Sequence, residues 1–193
     1  MVLSALLRWL SKLGLVAFFF LACGLPLESK AEVYLSKTEA LELVLGKESE
    51  QVYEKHVLSR AVKTDLIQQG LLSHTMKHAH FFVGKQQGRV RGYALIDNEV
   101  GKHLPITYIV GISPIGEITR VEMMVFREVR GWEARERRFM RQFEGKELGD
   151  SLSIGASLRN VSGATLSSRA IAKGVKRALY LWRLYYGDTQ GDG

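Results

Sequence analysis

The chain has 193 residues, 46% of them hydrophobic and 24% charged, with a formal net charge of +7. That is an ordinary globular composition, with room for one domain and a core that stands without covalent staples. The single cysteine, Cys23, excludes a disulfide framework and a Cys-ligated iron–sulfur cluster, and the lack of a Cys-x-x-Cys-His run excludes a c-type haem.

Taken in chain order, the first thirty residues read as an export signal. Arg8 and Lys12 form a positive n-region, and Leu13 to Leu25 is a nearly unbroken apolar run. The run is shorter than the roughly 20 residues of a membrane span. Pro26 breaks it, and Ser29-Lys30-Ala31 places small residues at the −3 and −1 positions of a signal-peptidase site. Residues 1–31 are therefore expected to be a leader cleaved after Ala31, which implies a periplasmic protein. An uncleaved anchor and a lipoprotein built on Leu21-Ala22-Cys23-Gly24 are the alternatives. Cleavage would leave 24 basic and 19 acidic residues, a balance of +5. Such a surface suits an anionic partner. No helix-turn-helix, zinc finger or basic-aromatic platform points to nucleic acid.

Beyond the leader, Ser36-x-x-Glu39 is a capping box that starts a helix at Lys37 and ends it near Gly46, with Ala40, Leu41, Val44 and Leu45 inward. Residues 51–58 fit neither period cleanly. Ser59 is placed to cap a second helix running to Gln69, with Gly70 as its stop. His80–Val83 and Arg89–Asp97 flank the turn Gly84–Gly88 as a hairpin, and Ile106–Ile112 and Glu117–Glu128 flank Ser113-Pro114-Ile115-Gly116. In the last strand Ile118, Val121, Met123 and Val125 mark one face. Their phase slips near Thr119 and Arg120, as at a bulge.

Residues 131–144 are expected to be helical, with Trp132, Phe139, Met140 and Phe143 inward, and 146–161 to be loop or short strand. A final helix from about Ser167 to Tyr186 shows Ile171, Val175, Leu179 and Trp182 at helical spacing. This order is α+β: a single antiparallel sheet with helices packed against it. Residues 32–88 make an N-terminal helical segment and first hairpin strand, 89–187 the core of the domain, and 188–193 a disordered tail.

The stretch from Asn160 to Ser168, just before the final helix, carries the chemical signal. Its small residues let a ligand approach the backbone, Gly163 opens conformations closed to other residues, and a helix N-terminus offers free amides to an anion. The same features fit a plain capping turn closed by Thr165 or Ser167.

Ser162-Gly163-Ala164-Thr165-Leu166-Ser167-Ser168 resembles the signature of the FMN-binding domain found in subunits of the sodium-pumping quinone reductase, in the Rnf complex and in related periplasmic flavoproteins. Gly92-Tyr93-Ala94, His103–Tyr108, Gly111-Ile112, Phe126-Arg127-Glu128 and Gln142-Phe143-x-Gly145-Lys146 follow in that family's order. The resemblance covers residues 90 to 182. It implies FMN as cofactor, joined by a phosphoester to Thr165 through a dedicated flavin transferase, with Ser162, Gly163, Ala164, Leu166 and Ser167 around the phosphate. His103, Tyr108, Phe126, Arg127 and Glu128 are the candidate walls for the flavin ring. One departure stands out: the transferase's target pattern has an aspartate three residues before the serine, where this chain has Arg159.

The implied function is electron transfer between a membrane or cytochrome partner and another redox protein. A module of a flavin-dependent reductase acting on a small acceptor and a non-redox binding module of the same fold are the alternatives. No residue is assigned as catalytic, since neither a Gly-x-Ser-x-Gly elbow, a P-loop nor a Rossmann glycine pattern occurs. His74, His78 and His80 lack a carboxylate beside them and read as a polar junction, not a metal site. The run Tyr180–Tyr186 is aromatic enough for membrane association or a partner, and equally for packing on its own domain.

Overall fold

The computed structural model describes residues 31–72 and 76–187. The expected leader up to Lys30, His74 and the tail 188–193 lie outside the described residues. The elements are β1 (Glu32–Val33), α1 (Lys37–Leu45), β2 (Glu50–Val57), α2 (Arg60–Gln68), β3 (His78–Gln86), β4 (Arg89–Val100), β5 (Pro105–Ile112), β6 (Ile118–Phe126), α3 (Arg137–Met140) and α4 (Thr165–Tyr186). Six strands form one antiparallel sheet in the order β1-β6-β5-β4-β3-β2. Segments 32–88 and 89–187 both contribute strands to it.

Local chemistry sets most of the boundaries. The capping box of α1 is formed in both directions, Glu39 N–H to Ser36 Oγ and Ser36 N–H to Glu39 Oε2. Ser59 Oγ caps α2 through Val62 N–H. The β3–β4 hairpin closes on only two residues, Gln87 and Gly88, both at positive φ, the geometry that matches strand twist. Both strands are thus longer than their apolar runs, and Gly84 sits inside β3 beside a bulge. Residues 50–57, ambiguous in sequence, form the edge strand β2. Val52, Glu54 and His56 are half-buried there while Gln51, Tyr53, Lys55 and Val57 face out, an alternation that polar residues at half-buried sites had blurred.

The phase slip in β6 is a real bulge. Gly111 pairs with Arg120 while Ile112 pairs with Ile118, which leaves Thr119 extra. A second slip lies between Met123 and Val125. It turns Val125 onto the opposite face, away from Ile118, Val121 and Met123.

The two faces of the sheet are covered unequally. Helix α1 lays Ala40 and Leu41 over Phe82, Ala94, Ile109 and Met124. The other face carries the main core, with 22-residue α4 across β4 and β5. Ile171, Val175, Leu179 and Trp182 of α4 are all buried there, each contributing about 1.5–3 kcal/mol. The aromatic run at its end packs on its own domain: Leu181, Trp182 and Tyr186 are buried, and Tyr186 bonds Glu54 and His56 of β2.

Residues 131–144 are not one helix. A 3₁₀ turn at Trp132–Arg135 is separated by Glu136, at ψ 129, from the four-residue α3, which runs directly into a second 3₁₀ turn at Arg141–Phe143. The break buries Phe139, Met140 and Phe143 but leaves Trp132 45% exposed, against its expected inward position. Among the described residues no helix is long and apolar enough to cross a membrane.

Candidate functional site

Helix α4 begins at Thr165, two residues before its expected start. Gly163 takes φ +81 and Ala164 is the N-cap, with no side-chain hydrogen bond closing the helix. The capping reading of Thr165 and Ser167 therefore does not hold: both lie inside the first turn. Amides that a serine or aspartate cap ordinarily satisfies are left for another acceptor. Thr165 is half-buried, and its Oγ1 accepts a 2.9 Å hydrogen bond from Asn160 Nδ2. Ser167 and Ser168 are buried, and Ser168 Oγ has no hydrogen-bond partner. Leu166 projects outward, 48% exposed.

Gly131 faces this turn. Its φ is +96, and a Cβ there would collide with Ser167 Oγ and reach within 3.7 Å of Phe126 Cζ. Only glycine fits, both for backbone angle and for space. Glu133 follows, with Oε1 3.6 Å from the point where a Cβ on Gly163 would stand.

Glu128 lies at the same end of the sheet and shapes the β4–β5 loop. Its Oε1 accepts from the backbone N–H of His103 at 2.8 Å and of Leu104 at 3.2 Å. Arg127 Nη1 donates to Pro105 O and Thr107 Oγ1, both at 2.9 Å. His103 is exposed and Phe126 buried. The structure thus gathers Ser162–Ser167, Phe126, Arg127, Glu128 and His103 at one end of the domain.

Tyr108 is not among them. It is fully buried against Gly174, nine residues along α4 from Thr165, or about 13 Å. Its hydroxyl belongs to a charge network centred on Arg177, which is also fully buried. Arg177 donates to Tyr108 Oη at 2.9 Å, to Asp97 at 2.8 Å, to Glu99 at 2.5 Å and to the carbonyl of Leu71 at 2.9 Å. Lys173 adds a second bond to Glu99 at 3.2 Å. Burial, then the neighbouring Asp97 carboxylate, push the Tyr108 hydroxyl well above its ordinary range. Burial opposes the charge on Arg177, but Tyr108, Asp97 and Glu99 outweigh it and hold the guanidinium protonated.

Two cavities flank the first turns of α4. One of about 290 Å³ is lined by Arg138, Phe139, Gln142, Arg159, Asn160 and Val161. A shallower one of about 570 Å³ runs along Arg169, Lys173 and Lys176. Among the described residues no group of three histidine, cysteine or acidic side chains is placed to hold a metal ion. Sequence reasoning gave Gly131 and Glu133 no place near the turn, put Trp132 in the core, and took Asn160 only as the start of the informative stretch. The one available signal was Gly131 itself, a glycine between two arginine-rich stretches.

Residues 101–180 match the family model of the FMN-binding domain, a span containing His103, Glu128 and the whole turn. No curated protein matches the sequence. Among solved structures, NqrC of Shewanella oneidensis is similar with a TM-score of 0.53 and 13% identity, over 79% of this chain and 88% of that one. A Na(+)-translocating NADH-quinone reductase component from Parabacteroides distasonis gives 0.49 and 16%, over 81% and 86%. The Shewanella likeness concerns the fold, one antiparallel sheet backed by helices. Residues 101–180 are thus similar to the FMN-binding domain, and that match indicates FMN as the cofactor.

Proposed function

We propose that this protein is an exported electron-transfer flavoprotein whose FMN is esterified to Thr165 by a flavin transferase. The observation that carries the reading is the uncapped start of α4: Thr165 stands in its first turn, beside free amides and the buried, unpartnered Ser168 hydroxyl. The residues present fit the group. A phosphate there meets main-chain donors and the positive end of a 22-residue helix, and Gly131 lets its segment pack directly against Ser167 beside that helix start. Leu166 and Trp132, large and about half exposed, are the apolar surfaces available to the ring, with Glu128 at its polar edge. Bound FMN supplies one- or two-electron transfer, and the protein's part is placement and tuning.

Asn160 steadies the Thr165 oxygen from one side. Arg159, where the transferase pattern has aspartate, is clamped through its backbone: its N–H donates to Gln142 Oε1 at 2.7 Å and its carbonyl accepts from Gln142 Nε2 at 3.3 Å. Its side chain is exposed, so the departure alters what a transferase meets from outside and leaves the turn itself intact.

Periplasmic export with cleavage after Ala31 is part of the proposal. Such cleavage leaves β1 whole, because Glu32 is its first residue and pairs with Phe126. A membrane or cytochrome redox partner follows from the same reading. Co-expression with a flavin transferase tests it: wild type should gain the mass and in-gel fluorescence of one flavin, and Thr165→Ala should lose both. A wild-type chain that never acquires the adduct sinks the ester.

A further inference from the structure

We infer that Glu133 is an internal anion that competes with the flavin phosphate, making free FMN bind weakly and the turn selective for the ester. The inference rests on the phosphate lying at the start of α4. Acidic neighbours of Glu133 are neutralised locally: Glu136 pairs with Arg138, and Glu144 with Arg137. Glu133 instead turns its carboxylate toward the turn, with Oε1 3.6 Å from the position of a Cβ on Gly163 and Oε2 buried without a hydrogen-bond partner. It follows directly on Trp132 and Gly131, and Gly131 in turn abuts Ser167. A negative charge is thus built into the region that the free amides and dipole of α4 make positive.

The consequence depends on the ligand's charge. Free FMN carries a phosphate monoester, close to a dianion at neutral pH. Joined to Thr165 it becomes a diester with one charge. Like-charge repulsion from one fixed carboxylate scales with that number, so it weighs about twice as heavily on the free cofactor as on the attached one. Glu133 thereby disfavours occupation of the turn by FMN that is merely bound, and leaves the esterified form the better tolerated one.

The test uses the apo protein, expressed without a transferase and titrated with FMN and with riboflavin by flavin fluorescence. Glu133→Gln and Glu133→Ala should each bind FMN about tenfold or more tighter than wild type, with riboflavin unchanged because it lacks the phosphate. Unchanged or weaker FMN binding in both variants overturns the inference. So does a gain in Glu133→Gln alone, which marks a new hydrogen bond and not a removed charge. The two failures separate: a preference for FMN over riboflavin that the variants do not enlarge refutes only the role of Glu133. No preference for FMN in any variant removes the phosphate site and the inference together.

Discussion

Arg177 and the turn at Thr165, both on α4, treat their polar groups in opposite ways. At Arg177 the guanidinium is spent on Asp97, Glu99, Tyr108, the carbonyls of Leu71 and Asn98, and nothing is left over. Around Thr165 the same helix has no side-chain cap, Ser168 Oγ has no partner, and the carboxylate of Glu133 keeps one oxygen buried and unpaired. Unsatisfied buried groups cost stability. Among the described residues Arg137 Nη1, Trp182 Nε1 and Tyr185 Oη also lack a hydrogen-bond partner, but Ser168 Oγ and Glu133 Oε2 are the two beside the uncapped helix start. At Arg177 satisfied polarity holds the helix to the sheet, and at Thr165 unsatisfied polarity is what the proposed phosphate would meet.

Breaking the satisfied network should produce the largest change in stability. Arg177→Met leaves Asp97 and Glu99 facing a core with one fewer cation, and should cost about 3–5 kcal/mol in urea unfolding. An alkaline titration sharpens the same point. The folded value of Tyr108 lies above its unfolded 10.0, so its contribution is present in full below about pH 10 and falls as pH rises beyond it. Tyr93, Tyr185 and Tyr186 are shifted the same way. Stability measured by denaturant should therefore decline on the alkaline side, less steeply in Tyr108→Phe. The smallest effect belongs to the unsatisfied turn. Ser168→Ala removes a buried hydroxyl that bonds nothing, and should raise stability by about 1 kcal/mol. A large loss there would show that the turn is held by its own polar groups and would erase the contrast.

How much of this was legible differs by region for physical reasons. The caps at Ser36 and Ser59 could be read because each is a local bond between residues three apart. The bulge at Thr119 could be read because a period of two exposes any slip. Strand β2 could not, since Glu54 and His56 occupy half-buried positions and find their partner in Tyr186, more than a hundred residues away. The broken helix at 131–144 was hidden because its apolar spacing suits a helix, while Glu136 takes a ψ of 129 that spacing does not report. At the site, the turn and Glu128 were visible. Glu133 was not, because its meaning comes only from standing opposite Gly163. Tyr108 looked like a ring contact and is instead a core residue bound to Arg177.

The Arg177 network also sets an order of events. Asp97 and Glu99 are synthesised about 80 residues ahead of the guanidinium that neutralises them, and such non-local contacts form slowly. Until the last helix docks, the middle of the sheet carries two acids with no counter-charge, a poor state in which to close a core. The helix that supplies that charge also carries Thr165 at its head. On the proposed attachment, a chain whose last helix has not docked lacks the formed turn at Thr165, so the flavin would be installed only on a chain that has finished folding.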